Sequence, residues 1–157
     1  MKQNFLISAI PKAVFKSYFQ ASDSELGRLN AQWLIADASP GYPCRVSLID
    51  AQVGERVLAC HFEHLRVNTV YRASGPVFVR EKAVTAVLKV NQIPSILYHR
   101  QLSLRAYNMS DMMIDASLVM GTDVHTVIQT QLNNSAVEYI HIHNAAPGCF
   151  SCSVCRV

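Results

Sequence analysis

Turn residues interrupt every apolar-patterned segment of this chain within about a dozen residues, and that punctuation decides the fold class. Phe5 to Ile10 reads as an opening strand closed by Pro11. Pro11 suits the first turn of a helix whose Val14, Phe15, Tyr18 and Phe19 share a face. Ser22 and Glu25 form a capping-box pattern for a second short helix, which Gly27 and Asn30 should end. After a loop at Asp37 to Arg45 come strand candidates at Arg45 to Ile49, Val57 to Glu63, Val77 to Arg80 and Ala83 to Val90. Pro94 opens a short helix through His99, Leu102 to Tyr107 and Met112 to Val119 alternate as strands, and Thr122 caps a helix bearing Val124, Val127, Ile128 and Leu132. A strand at Val137 to His143, a Pro-Gly turn and a last strand after Cys149 complete the chain. Strands outnumber helices and the connections are turn-sized. The expectation is therefore α+β: one domain over residues 1–157, a mostly antiparallel sheet with short flanking helices and the Val137 to His143 strand at its centre.

Composition agrees with a packed domain. The chain has 157 residues, half of them apolar and 16% charged, enough for a real core and unlike disordered or collagen-like chains. Its low charge leaves room for a second copy, a homo-oligomer, to cover some surface. Fourteen Lys and Arg against 11 Asp and Glu give +3 with no basic run, too little clustered charge for a nucleic-acid binder. Arg outnumbers Lys nine to five, which favours a grip on a small anion. Phe5 to Ile10 is too short for a signal peptide, and the uncharged window Tyr139 to Cys155 holds His, Asn, Pro and Gly, so no membrane partner is expected. These features predict a cytoplasmic protein with five reduced thiols.

In the strand Y-I-H-I-H-N, Tyr139, His141 and His143 fall on one face. Two such imidazoles suit one pocket or one metal; a hydrogen-bonded polar face accounts for them equally well. Cys149, Cys152 and Cys155 are spaced like part of an iron-sulfur run, but an extended backbone carries the outer two about 20 Å apart. Cys44 in P-G-Y-P-C-R and Cys149 in P-G-C-F each end a rigid Pro-Gly loop, either as packed turn residues or as held nucleophiles. Two Pro-Gly loops ending in Cys, Pro40 to Arg45 and Asn144 to Cys149, suggest two walls of one site with Cys44 and Cys149 neighbours in space. Arg45, Arg72, Arg80 and Arg105 are the candidate anion grips, with Glu63 and His64 at the end of the strand before Arg72.

The segments P-G-Y-P-C-R (40–45), F-E-H (62–64), Y-R-A-S-G-P-V-F-V-R-E (71–81), L-S-L-R-A-Y (102–107), M-M-I-D-A (112–116) and Y-I-H-I-H-N-A-A-P-G-C-F (139–150) resemble, in order, the bacterial domain-of-unknown-function family numbered 1203. The resemblance implies a compact bacterial protein that stands alone as one domain, and it implies no activity. Cys44, Arg45, Glu63, His64, Arg72, Arg80, Arg105, His141, His143, Asn144 and Cys149 lie within the matching stretches, whereas Cys60, His61, His99, His125, Cys152 and Cys155 do not.

The leading expectation is a pocket for a small anionic molecule, with Arg45, Arg72, Arg80 and Arg105 as grips, Glu63 and His64 beside them, and no cofactor. If the pocket is catalytic, Cys149 or Cys44 is the nucleophile, His143 its base and Asn144 the orienting group. The rival is a zinc-binding protein in which His141 and His143 are completed by Cys44 or Cys149. A structural or interaction module without a ligand is the third.

Overall fold

The computed structural model describes residues 2–157 and resolves the chain into two antiparallel sheets with short helices. The larger sheet has the order β1-β8-β7-β5-β6, built from β1 (Phe5–Ser8), β5 (Gln101–Tyr107), β6 (Met113–Met120), β7 (Tyr139–Asn144) and β8 (Phe150–Arg156). β2 (Ala31–Ile35), β3 (Arg56–Leu65) and β4 (Ala73–Arg80) form the smaller one. The α+β, antiparallel expectation holds, divided over two sheets, and β7 is the central strand of the larger. Among the described residues no helix is long and apolar enough to cross a membrane.

Alternation along β5, β7 and β8 separates two environments. Leu102, Leu104, Ala106, Ile140, Ile142, Cys152 and Val154 face a core closed by α3 (Ser95–Tyr98) and by Ile128 and Leu132 of α4 (Val124–Leu132). Ser103, Arg105, Tyr107, Tyr139, His141 and His143 take the opposite face, with Ser103 registered on His143, Arg105 on His141 and Tyr107 on Tyr139. The smaller sheet packs Leu58, Cys60, Val77 and Val79 against Phe15 and Leu26, beneath α1 (Lys16–Gln20) and α2 (Asp23–Arg28). Phe150 joins this second core and so ties the two sheets together. The capping box at α2 forms as expected: the Glu25 amide donates to the Ser22 hydroxyl, and the Ser22 amide donates to the Glu25 carboxylate.

Two expected strands are absent. Arg45 to Ile49 is a turn in which Leu48 has φ +54° and Cys44 bridges only to Phe78. Ala83 to Val90 is an irregular crossing segment anchored where the Ala86 amide donates to the Val46 carbonyl. Thr122 does not cap α4, because a 3-10 turn at Gly121–Asp123 leads directly into the helix.

Candidate functional site

The β7–β8 turn is built by its own backbone. Gly148 donates to the Asn144 carbonyl at 2.9 Å and the Asn144 amide donates to the Cys149 carbonyl at 2.9 Å. Gly148 has φ +77°, the left-handed region in which a side chain is strained, and a Cβ there would meet nothing. The glycine is thus required by conformation, not by space. The turn presents different chemistry on its two sides.

On one side it walls a cleft of about 520 Å³ with Pro40 and Pro43, Pro76 and Phe78 of β4, and Arg100 and Gln101 at the start of β5. The two Pro-Gly loops are therefore two walls of one cleft, as their sequences suggest. It is Arg45, not Cys44, that meets Cys149. Arg45 is 1% exposed; its Nε donates to the Phe150 carbonyl at 2.8 Å, its Nη1 to the Pro43 carbonyl at 2.5 Å and its Nη2 to the Cys149 sulfur at 3.0 Å. Asn144 Nδ2 also donates to that sulfur, at 3.4 Å, while Asn144 Oδ1 is buried without a partner among the described residues. The other arginine of the cleft, Arg100, holds Asp50 through both Nη atoms at 2.5 and 3.0 Å. Among the described residues Arg45 pairs with no carboxylate. Burial pulls its pKa down from the ordinary arginine value, and the strongest opposing influence is Cys149.

Cys44 does not line the cleft. It is 0% exposed within the second core, where its sulfur accepts the amides of Ser47 and Arg80. Backbone pairing of residues 44 and 45 with Phe78 sends neighbouring side chains to opposite sides, so Arg45 reaches the cleft and Cys44 the core. Arg80 also lies outside the cleft lining, gripping Glu55 with Nε and Nη2 and the Ser47 hydroxyl with Nη1. Arg72 is exposed and pairs with Glu63 at 3.1 Å, which holds the Glu63 carboxyl below its usual range. Arg105 lies outside the cleft lining, on the histidine face of β5, with its Nε donating to the Ser103 hydroxyl. The expected Cys149–His143–Asn144 relay is not assembled: Asn144 touches Cys149 directly, and His143 Nδ1 bonds the Gly148 carbonyl at 2.9 Å.

On the opposite side of the turn, His143 joins His141 and His64, one ligand-type atom from each lying within 4.8 Å of the others. Cys44 and Cys149 are not in this group. His64 stacks on Phe150, with ring centroids 5.1 Å apart at 7°, and meets the His143 ring edge at 5.0 Å. Both nitrogens of His64, Nδ1 of His141 and Nε2 of His143 are buried without a hydrogen-bond partner among the described residues. Burial lowers all three pKa values, to about 4 for His64, 3 for His141 and 4 for His143, and the Arg105 charge lowers them further. The sequence expectation grouped His64 with the anion grips. Its partnership with His141 and His143 arises from the packing of β3, whose register slips between Phe62 and Leu65, against the larger sheet, which no local sequence pattern reports.

The geometry defines an α+β protein whose β7–β8 turn divides an arginine–thiol cleft from a histidine cluster. The chain belongs to the family described as Protein of unknown function (DUF1203), whose model matches residues 41–156. No curated protein and no solved structure matches it.

Proposed function

We propose that the protein binds a small molecule carrying an anionic group on an apolar body, seated in the cleft with its anion toward Arg45, Asn144 and Cys149. The observation that carries this reading is the buried guanidinium of Arg45, which has two carbonyls and a sulfur around it and no carboxylate. A buried charge needs a counter-charge, and an anionic ligand supplies one. Asn144 Oδ1, buried and unpartnered, favours a ligand with a hydrogen-bond donor beside its anion. Proline and phenylalanine walls suit an apolar remainder. Cys149 is the thiol at the cleft, and any covalent step would start at its sulfur without His143 as the base.

Mandelate has the required parts: a carboxylate, a neighbouring hydroxyl and an aromatic body. It should raise the unfolding midpoint of the protein, by an amount equivalent to about 2.7 kcal/mol at a hundred times its dissociation constant. The neutral mandelamide should bind roughly ten- to a hundredfold more weakly, the worth of one charge-assisted hydrogen bond. Equal shifts from acid and amide in a thermal melt would refute an anion site.

A further inference from the structure

The histidine cluster lies outside the anion cleft and is unexplained by it. We propose that His64, His141 and His143 together bind one zinc ion through three neutral imidazoles, leaving a fourth position open to water or a small anion. This assignment stands independently of the cleft ligand.

Four buried ring nitrogens without partners carry the inference. Buried polar atoms in folded proteins are nearly always satisfied, so a group of them pointing at one another marks a missing guest. Each neutral imidazole has one nitrogen with a lone pair and one with a hydrogen. At His143 the assignment is fixed by chemistry: the Gly148 carbonyl only accepts, so Nδ1 carries the hydrogen and Nε2, buried and unpartnered, keeps its lone pair. A backbone carbonyl holding the far ring nitrogen is the usual support of a metal-ligating histidine.

The elements that bring the rings together are rigid. His141 and His143 occupy alternate positions of the central strand, and His64 arrives from β3 of the other sheet, braced against Phe150. Ligand atoms within 4.8 Å of one another need to close by at most about 1.4 Å to share a tetrahedral ion at roughly 2.1 Å from each. Rotation of rings about their side-chain bonds covers that distance.

Zinc suits the donors, because imidazole is a borderline ligand and three histidines with one open position is a known zinc arrangement. His141 also lines a surface depression with Glu138, Tyr139, Ser153 and Cys155, which offers a way in. Arg105, registered on His141, adds positive charge nearby. An anion in the fourth position would answer both that charge and the zinc.

Tag-free protein stripped with a chelator and titrated with zinc should take up one equivalent per chain against a competing chelator dye. His64→Gln, His141→Gln and His143→Gln should each weaken uptake at least a hundredfold, while His61→Gln, at an exposed histidine bonded to Ser74, should leave it unchanged. Imidazole NMR of the wild-type chain keeps the test decisive if a variant fails to fold: zinc should move the ring signals of His64, His141 and His143 and spare those of His61, His99 and His125. Lack of stoichiometric uptake by the wild type, or uptake that survives all three substitutions, would overturn the site. So would unmoved ring signals at one equivalent of zinc, with buried water then the guest of the cluster.

Discussion

Metal-free protein should lose stability steeply as the pH falls from 6.5 toward 4. His64, His141 and His143 are pushed down to about 4, 3 and 4, chiefly by burial. In the unfolded chain each would titrate near the ordinary imidazole value of about 6.5. Below that pH the unfolded chain binds protons that the folded chain refuses, so stability is full above about pH 6.5 and drains as the pH drops. A histidine held neutral contributes up to about 1.4 kcal/mol per pH unit in this window. His141 and His143 are 7% and 0% exposed and should contribute most of that each. His64 is only partly buried, and solvent screening reduces its share. Groups facing the cluster reinforce the trend: the Arg105 charge lowers all three rings and the Arg45 charge lowers His143, and Tyr139 is raised by burial and by its bond to Asp111. The slope is expected to be about 3 kcal/mol per unit, large against the 5–15 kcal/mol of an ordinary domain. Urea unfolding at pH 7, 6 and 5 measures it. His141→Gln should remove close to half of the slope, and a stability unchanged from pH 7 to pH 5 would contradict the buried neutral cluster.

Gly121→Ala should be the most damaging single-methyl change in the chain. A Cβ on Gly121 would stand 1.7 Å from the Leu97 carbonyl oxygen, 2.6 Å from its carbon and 2.8 Å from the Tyr98 Cα. All three are backbone atoms and cannot turn aside. The Gly121 amide also donates to the Arg100 carbonyl at 2.9 Å, which continues the β5–β6 pairing past Gln101 and Met120 and fixes the turn beside α3. To admit a methyl group, α3 must separate from the turn that starts α4, opening the core around Ile96, Leu97 and Val124. The expected loss is about 3 kcal/mol or more, at the upper end of overpacking effects. Gly27→Ala is the matched control: Gly27 lies in α2 with open space around its Cβ position, and alanine there should add about 0.5–1 kcal/mol. Urea midpoints of the two variants should move in opposite directions. A Gly121→Ala protein as stable as the wild type would refute the close approach.

The strands with strict alternation or a bounding turn were legible in the sequence, β5, β7 and β8 above all, because period-two patterning fixes both the element and its buried face. Arg45 to Ile49 and Ala83 to Val90 read as strands by composition. Their β-branched residues enter no ladder: Val46 fills the second core, whereas Val84 and Val87 are exposed on a crossing segment. β2 offers only the short apolar run Trp33-Leu34-Ile35 without alternation, and the Trp33 ring lies under Arg56 at 4.1 Å. At the site, adjacency in sequence misled. Cys44 and Arg45 are neighbours in the chain and take opposite sides of it, and Arg80 and Arg72 are neutralised by Glu55 and Glu63 from other positions of the fold. No spacing rule reports such long-range pairing. His64, read as a strand-end residue, needed the second sheet to bring it to His141 and His143.

Alkylation of Cys149 by a charged and a neutral reagent of the same size tests the anion cleft most directly. The thiol displaces iodide from iodoacetate and from iodoacetamide alike, and the two reagents differ in whether a carboxylate or an amide must sit beside the attacking sulfur. A free peptide thiol sets the reference ratio of the two rates. If Arg45 and Asn144 receive an anion beside Cys149, the ratio of iodoacetate to iodoacetamide modification at Cys149, read by peptide mass spectrometry, should exceed that reference about tenfold, the worth of one charge-assisted hydrogen bond. A ratio at or below the reference would contradict the cleft as an anion site.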